Sequence, residues 1–440
     1  MFTASMTPAH PPASQTSTAP AIGPYYGWIV WGTAAAFFAY GFAQRIAPSV
    51  MYDYLMRDFA LGGAALGSLA VSYFYTYAAM QVPVGLLIDR FGPRVLLTLA
   101  ALVCAAGSLI FGLANGLPQA YAGRLLLGVG TGVAFISTLM LANRWLPPER
   151  FGLVSGLTMS IGMLGAIGGQ APLGLLVEAI GWRNLLFAGS AVGVAFAGLI
   201  WIVTRAPTIN GAAVSEAGEH RAPPFMTTLV LLAKQRQIWL AAFFCSTLSA
   251  PMLSFVILWG VPYLVQVQGL SRAAAGLGTS MVMIGLAFGA PFVGWLSDRV
   301  GARRPFILAS PLVLLAIWLV VLFAPPLPTP AYYGLFLAIG LTSGVLTLPY
   351  AIGVELTRVE MRGAVTGVIN LAPMLGAIVL QPAIGLVLDW QWTDEIDNGV
   401  RIYSRGAYVN ALLVYPILMA LTFVAMLFTV ETYGRNRSPS

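Results

Sequence analysis

The 440-residue chain is 58% hydrophobic, 8% charged and carries a net charge of +7, with a mean hydropathy of +0.83. Soluble domains are roughly 45–50% apolar, so this composition excludes an ordinary soluble protein and places the chain in lipid. The positive charge does not mark a nucleic-acid partner, because the basic residues sit singly between apolar runs and form no patch.

Residues 1–24 are rich in Pro, Ser, Thr and Ala, with neither a basic start nor an apolar core. They read as a disordered tail and not as a signal peptide. From Tyr25 onward, about twelve apolar segments follow one another, starting near Tyr26, Ala65, Val95, Tyr121, Phe151, Asn184, Ile238, Ala273, Pro305, Ala331, Gly363 and Ala407. Each is long enough to cross a hydrocarbon layer of roughly 30 Å as a helix of about 20 residues. Helices are expected because a backbone in lipid must satisfy its own hydrogen bonds. Cys104 and Cys245 both lie inside apolar runs and read as small buried thiols, not as a disulfide framework.

Arginines set the orientation. Alternate loops hold Arg90 and Arg94, Arg144 and Arg150, Arg205 to Arg236, Arg299 to Arg304, Arg358 and Arg362, then Arg435 and Arg437. The intervening loops hold only Arg57, Arg183, Arg272, Arg401 and Arg405. By the positive-inside rule both termini are expected in the cytoplasm of a cell whose inner membrane the chain spans. The long polar stretch 205–237 falls midway and reads as a cytoplasmic linker between a bundle at 25–204 and a second at 238–431, with a short tail at 432–440.

The two bundles repeat one another. GLLIDRFGPR at 85–94 and GWLSDRVGAR at 294–303 place Asp89 and Asp298 209 positions apart (298 − 89). Glu149 and Glu360, Gly152 and Gly363, and Gly156 and Gly367 are each 211 apart (363 − 152). Two unrelated regions with almost the same offset establish an internal duplication.

Across nearly its whole length after the tail, the chain resembles the major facilitator superfamily of transporters. Gly85, Asp89, Arg90, Gly92 and Arg94 match that family's loop 2–3 motif, except that Val95 stands where a final basic residue is usual. Gly294, Asp298, Arg299, Gly301, Arg303 and Arg304 give the complete second copy, and Arg124, Gly128, Gly130 and Gly132 match the helix 4 motif R-x-x-x-G-x-G. The resemblance implies an all-α membrane protein of twelve transmembrane helices in two pseudo-symmetric six-helix bundles. It also implies a conformational latch. A carboxylate at a helix end is favoured near the positive N-terminus of a neighbouring helix by about 0.3–1 kcal/mol when exposed and up to about 2 when partly buried. Asp89 is expected to face the start of helix 11 near Gly363, and Asp298 the start of helix 5 near Phe151, closing one side in one conformation and releasing it in the other.

Intramembrane charge marks a pathway by default. Arg45, in YGFAQRIAPSV, lies well inside the first span with no acid within a turn or two. Two readings stand: an anchor for a substrate carboxylate or phosphate, or a structural pair that snorkels. Organophosphate antiporters of the same family carry a similar helix 1 arginine, but also one in helix 7, which this sequence lacks. The first span looks like that of monocarboxylate and oxalate/formate relatives, without their basic residue in helix 8 or 11. Tyr73, Tyr77 and Gln81 share a helix face, and Gln170, Trp259, Tyr263, Asn370 and Gln381 are further polar or amphipathic candidates, each equally suited to interhelical packing. Arg124 matches the arginine that the family motif links to proton coupling, or serves a structural network. Glu355, opposite Arg144 in the repeat, is a gate pair or an exposed helix-end acid.

The only lysine, Lys234, lies in LLAKQRQ, outside any P-loop, so an ATP-driven pump is disfavoured. His10 and His220 lie in polar segments, which leaves no buried histidine for catalysis or a metal. The expectation is a monomeric secondary transporter, not an enzyme, without cofactor or nucleic acid. It takes up a small anionic solute with protons by alternating access. The residues leave open an amino acid or ferric siderophore as substrate, and a transporter-like sensor as function.

Overall fold

A computed structural model describes residues 25–81, 83–147, 150–204, 235–357 and 362–431. The expected tails at 1–24 and 432–440 and most of the expected linker at 205–237 lie outside the described residues. The first half runs α1 (Tyr26–Ile46), a 3₁₀ turn (Ala47–Ser49), α2 (Tyr52–Phe59), α3 (Gly63–Met80), α4 (Pro83–Gly112), α5 (Leu117–Trp145), α6 (Phe151–Gly168), α7 (Ala171–Ile180) and α8 (Trp182–Val203). The second half runs α9 (Arg236–Pro251), a π-helical stretch (Met252–Trp259), α10 (Gly260–Gln266), α11 (Arg272–Val300), α12 (Arg304–Phe323) and α13 (Thr329–Ser343). A 3₁₀ turn (Gly344–Thr347), α14 (Leu348–Glu355), α15 (Arg362–Trp390), α16 (Arg405–Leu412) and α17 (Val414–Met426) complete it. Before α16, β1 (Ile396–Asp397) and β2 (Val400–Arg401) form a small antiparallel hairpin.

Among the described residues ten helical segments are long and apolar enough to cross a membrane, or eleven if α2 and α3, bent by 116°, count as one. The 21-residue α1 lies outside that set, and with it the count is consistent with the twelve crossings that the sequence predicts. Its tyrosines, tryptophans, glycines and the Gln44–Arg45 pair lower its hydropathy, because it is an interior helix packed on α5 and α6. Membrane-facing positions elsewhere are apolar and exposed, for example Leu164, Phe288 and Val379, as expected where lipid replaces water.

The duplication is visible in the packing. In the first half α1 packs on α6, α3 on α5 and α4 on α8; their repeat counterparts α9 on α15, α11 on α13 and α12 on α17 do the same. Gly92 and Gly301 turn the chain between spans 2 and 3 and between spans 8 and 9, with φ of 75° and 68°, values that side chains with a Cβ rarely adopt. Pro93 follows the first turn and starts the next helical segment. The helix 4 motif also has a packing reason: a Cβ on Gly128 would lie 2.2 Å from the Tyr73 carbonyl, so glycine lets α5 pass directly against α3.

The halves touch along two main seams, α3 on α15 and α6–α7 on α11, and where the 3₁₀ turn after α1 meets the π-helical stretch. Hydrogen bonds and ion pairs join the halves at mid-height and toward the end opposite the chain termini, here the far end.

Candidate functional site

The site begins with where α1 stops. Pro48 lacks the N–H that would continue the helix, so α1 ends at Ile46 and a buried 3₁₀ turn takes over. Arg45 therefore sits in the last turn of α1, not well inside it. It is nonetheless only 5% exposed. Its main neighbour, Tyr73, lies ten residues into α3, about 15 Å along a helix rising 1.5 Å per residue, near the middle of that 18-residue span.

Aromatic rings enclose the Arg45 guanidinium. Its central carbon lies 4.4 Å from the Phe42 ring centroid, 4.7 Å from Tyr77, 5.4 Å from Tyr73 and 5.6 Å from Phe74. Nε donates to the Tyr73 hydroxyl at 3.4 Å, and that hydroxyl lies 2.5 Å from Thr131 Oγ1. Tyr73 and Tyr77 stack with centroids 5.8 Å apart. A desolvated cation over an aromatic face gains on the order of 2 kcal/mol or more, but rings do not neutralise charge.

Arg124 lies on the other side of Tyr73, 5.2 Å from the ring, and is fully buried. Its Nη1 donates to the Gln44 carbonyl at 3.1 Å and its Nη2 to the Ala70 carbonyl at 2.6 Å, while Nε has no partner. Gln44 is in the last turn of α1, whose carbonyls lack intrahelical donors, so Arg124 closes that helix end and ties it to α3. Two buried cations thus flank one tyrosine. Spans 1, 2 and 4, which supply them, contain no Asp or Glu, and among the described residues neither arginine forms an ion pair.

The other candidates lie elsewhere. Gln81 sits two turns beyond Tyr73 and reaches the Tyr77 and Gly132 carbonyls, each at 3.4 Å. Gln170, fully buried at the α6–α7 break, donates to the Val256 carbonyl at 2.8 Å and accepts from Thr279 at 3.1 Å; it is a bridge between the halves. Trp259 donates to the Gln381 carbonyl at 3.0 Å and Tyr263 to the Val321 carbonyl at 2.9 Å. Gln381 donates to the Leu253 carbonyl at 2.6 Å, and its Oε1 is buried without a partner. Asn370 is exposed and accepts from Tyr350 at 3.3 Å. Of these candidates, the structure brings Arg45, Tyr73 and Tyr77 together. Phe42, Phe74 and Thr131 join them, and nothing in their spacing distinguished them from packing residues.

The two latch copies differ. In the second half Arg303 pairs with Glu355 at 2.6 Å and with Asp298 at 3.5 Å, and Glu431 accepts from the Arg303 and Arg304 backbone at the start of α12. Glu355 therefore joins Arg303 and not Arg144, which is exposed. Asp298 is 71% exposed, its ion pair held within its own half. Arg299 lies over Trp295 at 5.3 Å, and Gly294 has open space beside it. In the first half Arg94 donates to the Trp201 carbonyl at 2.9 Å and lies over its ring at 3.9 Å, and Arg90 lies over Phe91 at 5.4 Å. The surroundings of Gly85 and the side chains of Asp89 and Phe151 lie outside what the structure describes.

A duplicated bundle of ten or eleven apolar spans and α1, with interior charge beside the seam between its halves, has the form of a multi-pass membrane transporter. The chain belongs to the Major Facilitator Superfamily, whose family model matches residues 33–381. Its sequence is similar to three bacterial relatives. It is 24% identical to a probable sulfoacetate transporter of Cupriavidus necator over 62% of this chain and 66% of that one. It is 27% identical to a hexuronate transporter of Bacillus subtilis over 62% and 65%. It is 22% identical to a D-galactonate transporter of Escherichia coli over 89% and 94%. The fold is similar to that of an inward-facing, unoccupied bacterial homolog of the human lysosomal transporter Spinster, with a TM-score of 0.73 and 17% identity over 92% of this chain and 98% of that one. It is also similar to a D-xylose-proton symporter, with a TM-score of 0.70 and 15% identity over 93% and 100%.

Proposed function

We propose that the protein moves a small organic anion across the bacterial inner membrane by alternating access, with Arg45 as the group that holds the anion. One observation carries this: a guanidinium buried in the bundle interior, enclosed by Phe42, Tyr73, Phe74 and Tyr77, shares its surroundings with a second cation and has no carboxylate partner among the described residues. Taking a charge out of water costs several kcal/mol, and an opposite charge in hydrogen-bonding geometry is what offsets it. A carboxylate or sulfonate presents two oxygens to the guanidinium fork. Sulfoacetate, hexuronate and galactonate, the solutes named for the relatives, all carry such a group. The Tyr73 and Tyr77 hydroxyls supply polar contacts beside it.

The termini face the cytoplasm in this reading, so the far end faces outward and solute enters from there, driven by protons. Arg124 takes no direct part in proton movement; it fixes Arg45 by holding the Gln44 carbonyl next to it. Asp89 and Asp298 latch the cytoplasmic end in the opposite conformation, and Glu355 anchors Arg303 for that purpose.

The test is uptake into proteoliposomes of a panel of small carboxylates and sulfonates, with and without an inward proton gradient, for the native protein, Arg45→Lys and Arg45→Ala. Anion uptake that is lost in Arg45→Ala and partly kept in Arg45→Lys supports the anchor. Native-level uptake by Arg45→Ala overturns it, and uptake indifferent to the gradient overturns the proton drive.

A further inference from the structure

The far end carries a second duplicated feature, outside the loop motifs. Asp389, at the end of α15, accepts from the first backbone amides of α3: Gly63 N–H at 2.7 Å and Ala64 N–H at 2.9 Å. Arg401 at 3.2 Å and the Tyr403 hydroxyl at 2.7 Å hold the same carboxylate from its own half. Burial, and the Asp389 carboxylate beside it, push the Tyr403 phenol well above its ordinary range, so at neutral pH it remains a donor. On the other seam Arg272, at the start of α11, grips Asp53 through both terminal nitrogens, with Nη1 at 2.7 Å from Oδ1, and donates to the Val50 carbonyl at 2.8 Å. Its Nε lies 3.3 Å from Glu178 at the end of α7, an ion pair without hydrogen-bond alignment.

These contacts are repeat images of each other. Asp389 and Glu178 are 211 positions apart (389 − 178), and Gly63 and Arg272 are 209 apart (272 − 63), the same offsets that relate the two latch loops. The close approach beneath each contact is repeated too. A Cβ on Gly67 would lie 2.5 Å from the Gln381 carbonyl of α15, and one on Gly276 would lie 2.9 Å from the Ala171 nitrogen of α7; Gly67 and Gly276 are again 209 apart (276 − 67). An acid ending one span therefore meets the start of a span in the other half, twice, over a glycine-lined seam.

We propose that these are two clasps that shut the far end: Asp389 on the start of α3, and Asp53 with Glu178 on Arg272. They position the halves in the conformer seen here and release when the far end opens. On the first seam a glycine leaves the bare helix N-terminus for Asp389, where orphan amides and the helix dipole favour a carboxylate. On the second, the same register position holds an arginine, and the clasp is made by side chains. The inference rests on the alternating-access reading but not on an anion at Arg45.

Spin labels at the exposed positions Ala179 and Asn398 report the far-end separation of the full chain in nanodiscs, without solute, so a failed transport assay leaves the result readable. The native clasps should give one dominant distance. The double variant Asp389→Ala/Arg272→Ala should move the main population outward by about one helical turn, ~5 Å, the scale of known switching shifts. Each single variant should broaden it, and Asp389→Asn, which keeps an acceptor oxygen, should restore the native distribution in place of Asp389→Ala. Should the double variant not fold, Gly67→Leu wedges the first seam directly and should give the same outward shift. A native distance distribution in the folded double variant, or in Gly67→Leu, overturns the proposal.

Discussion

Repeat-related positions at the end of span 1 and in the middle of span 7 pack against each other, yet their chemistry is opposite. Span 1 offers Gln44 and Arg45 beside Arg124. The positions of span 7 offset by 209–211 from Arg45 are Ser254 to Val256, in a π-helical stretch that is buried from Leu253 to Trp259 and carries no charge. There Phe255 meets Tyr263, Trp318, Phe336 and Tyr415 edge-on or tilted, and the Ser254 and Tyr415 hydroxyls are 2.8 Å apart. Duplication has preserved helix order and seams in both halves while charge stayed in one. In the second half the equivalent positions build a neutral aromatic core within their own bundle.

Four substitutions break or sharpen that comparison. The largest effect is expected from Arg45→Ala: truncating one partner of a buried, hydrogen-bonded charge pair costs about 2–5 kcal/mol, so anion affinity by calorimetry should fall at least about 30-fold. Tyr73→Phe removes the acceptor of Arg45 Nε while keeping the ring. A loss of about 1.4 kcal/mol, near tenfold in Kd, is expected for a hydrogen bond to a charged group. On the neutral side, Trp259→Phe removes a bond to a main-chain carbonyl and shrinks a fully buried ring. It should lower stability by at least about 1 kcal/mol, read as a lower melting temperature, with anion affinity unchanged; a larger loss of affinity than of stability would place charge recognition in both halves. The smallest effect belongs to Asp298→Asn. An exposed ion pair contributes well under about 1 kcal/mol, so the melting temperature of this conformer should barely move.

Much of this was legible in the residues, and the limits have physical causes. Apolar run length and turn residues located the spans, because lipid permits only helices there. Gly92 and Gly301 marked turns that require positive φ. The 209–211 offset, followed only through the loop motifs, also relates Gly67 to Gly276, Gly174 to Gly385 and Glu178 to Asp389; extending it along the chain would have exposed the far-end seams before any coordinates. Arg45 was visible as a charge without a local partner, but its depth was not, since a single proline ends α1 early and the following turn buries the side chain. The aromatic cage was hidden because Phe42 and Phe74 look like any packing phenylalanine. Glu355 was placed opposite Arg144 by the repeat, whereas three-dimensional proximity gives it to Arg303, a contact that no one-dimensional register encodes.

The central claim is that Arg45 is the anion anchor, and thermal stabilisation tests it most directly. A ligand that binds only the folded state raises its stability by RT ln(1 + [L]/Kd), so purified protein and the Arg45→Ala variant should be melted side by side with small carboxylates, sulfonates and their neutral amides. The account predicts that at least one anion stabilises the native protein, that its amide does not, and that the variant, folded and equally stable without ligand, responds to neither. Equal stabilisation of both proteins by the anion, or stabilisation of the native protein by the neutral amide alone, would contradict it.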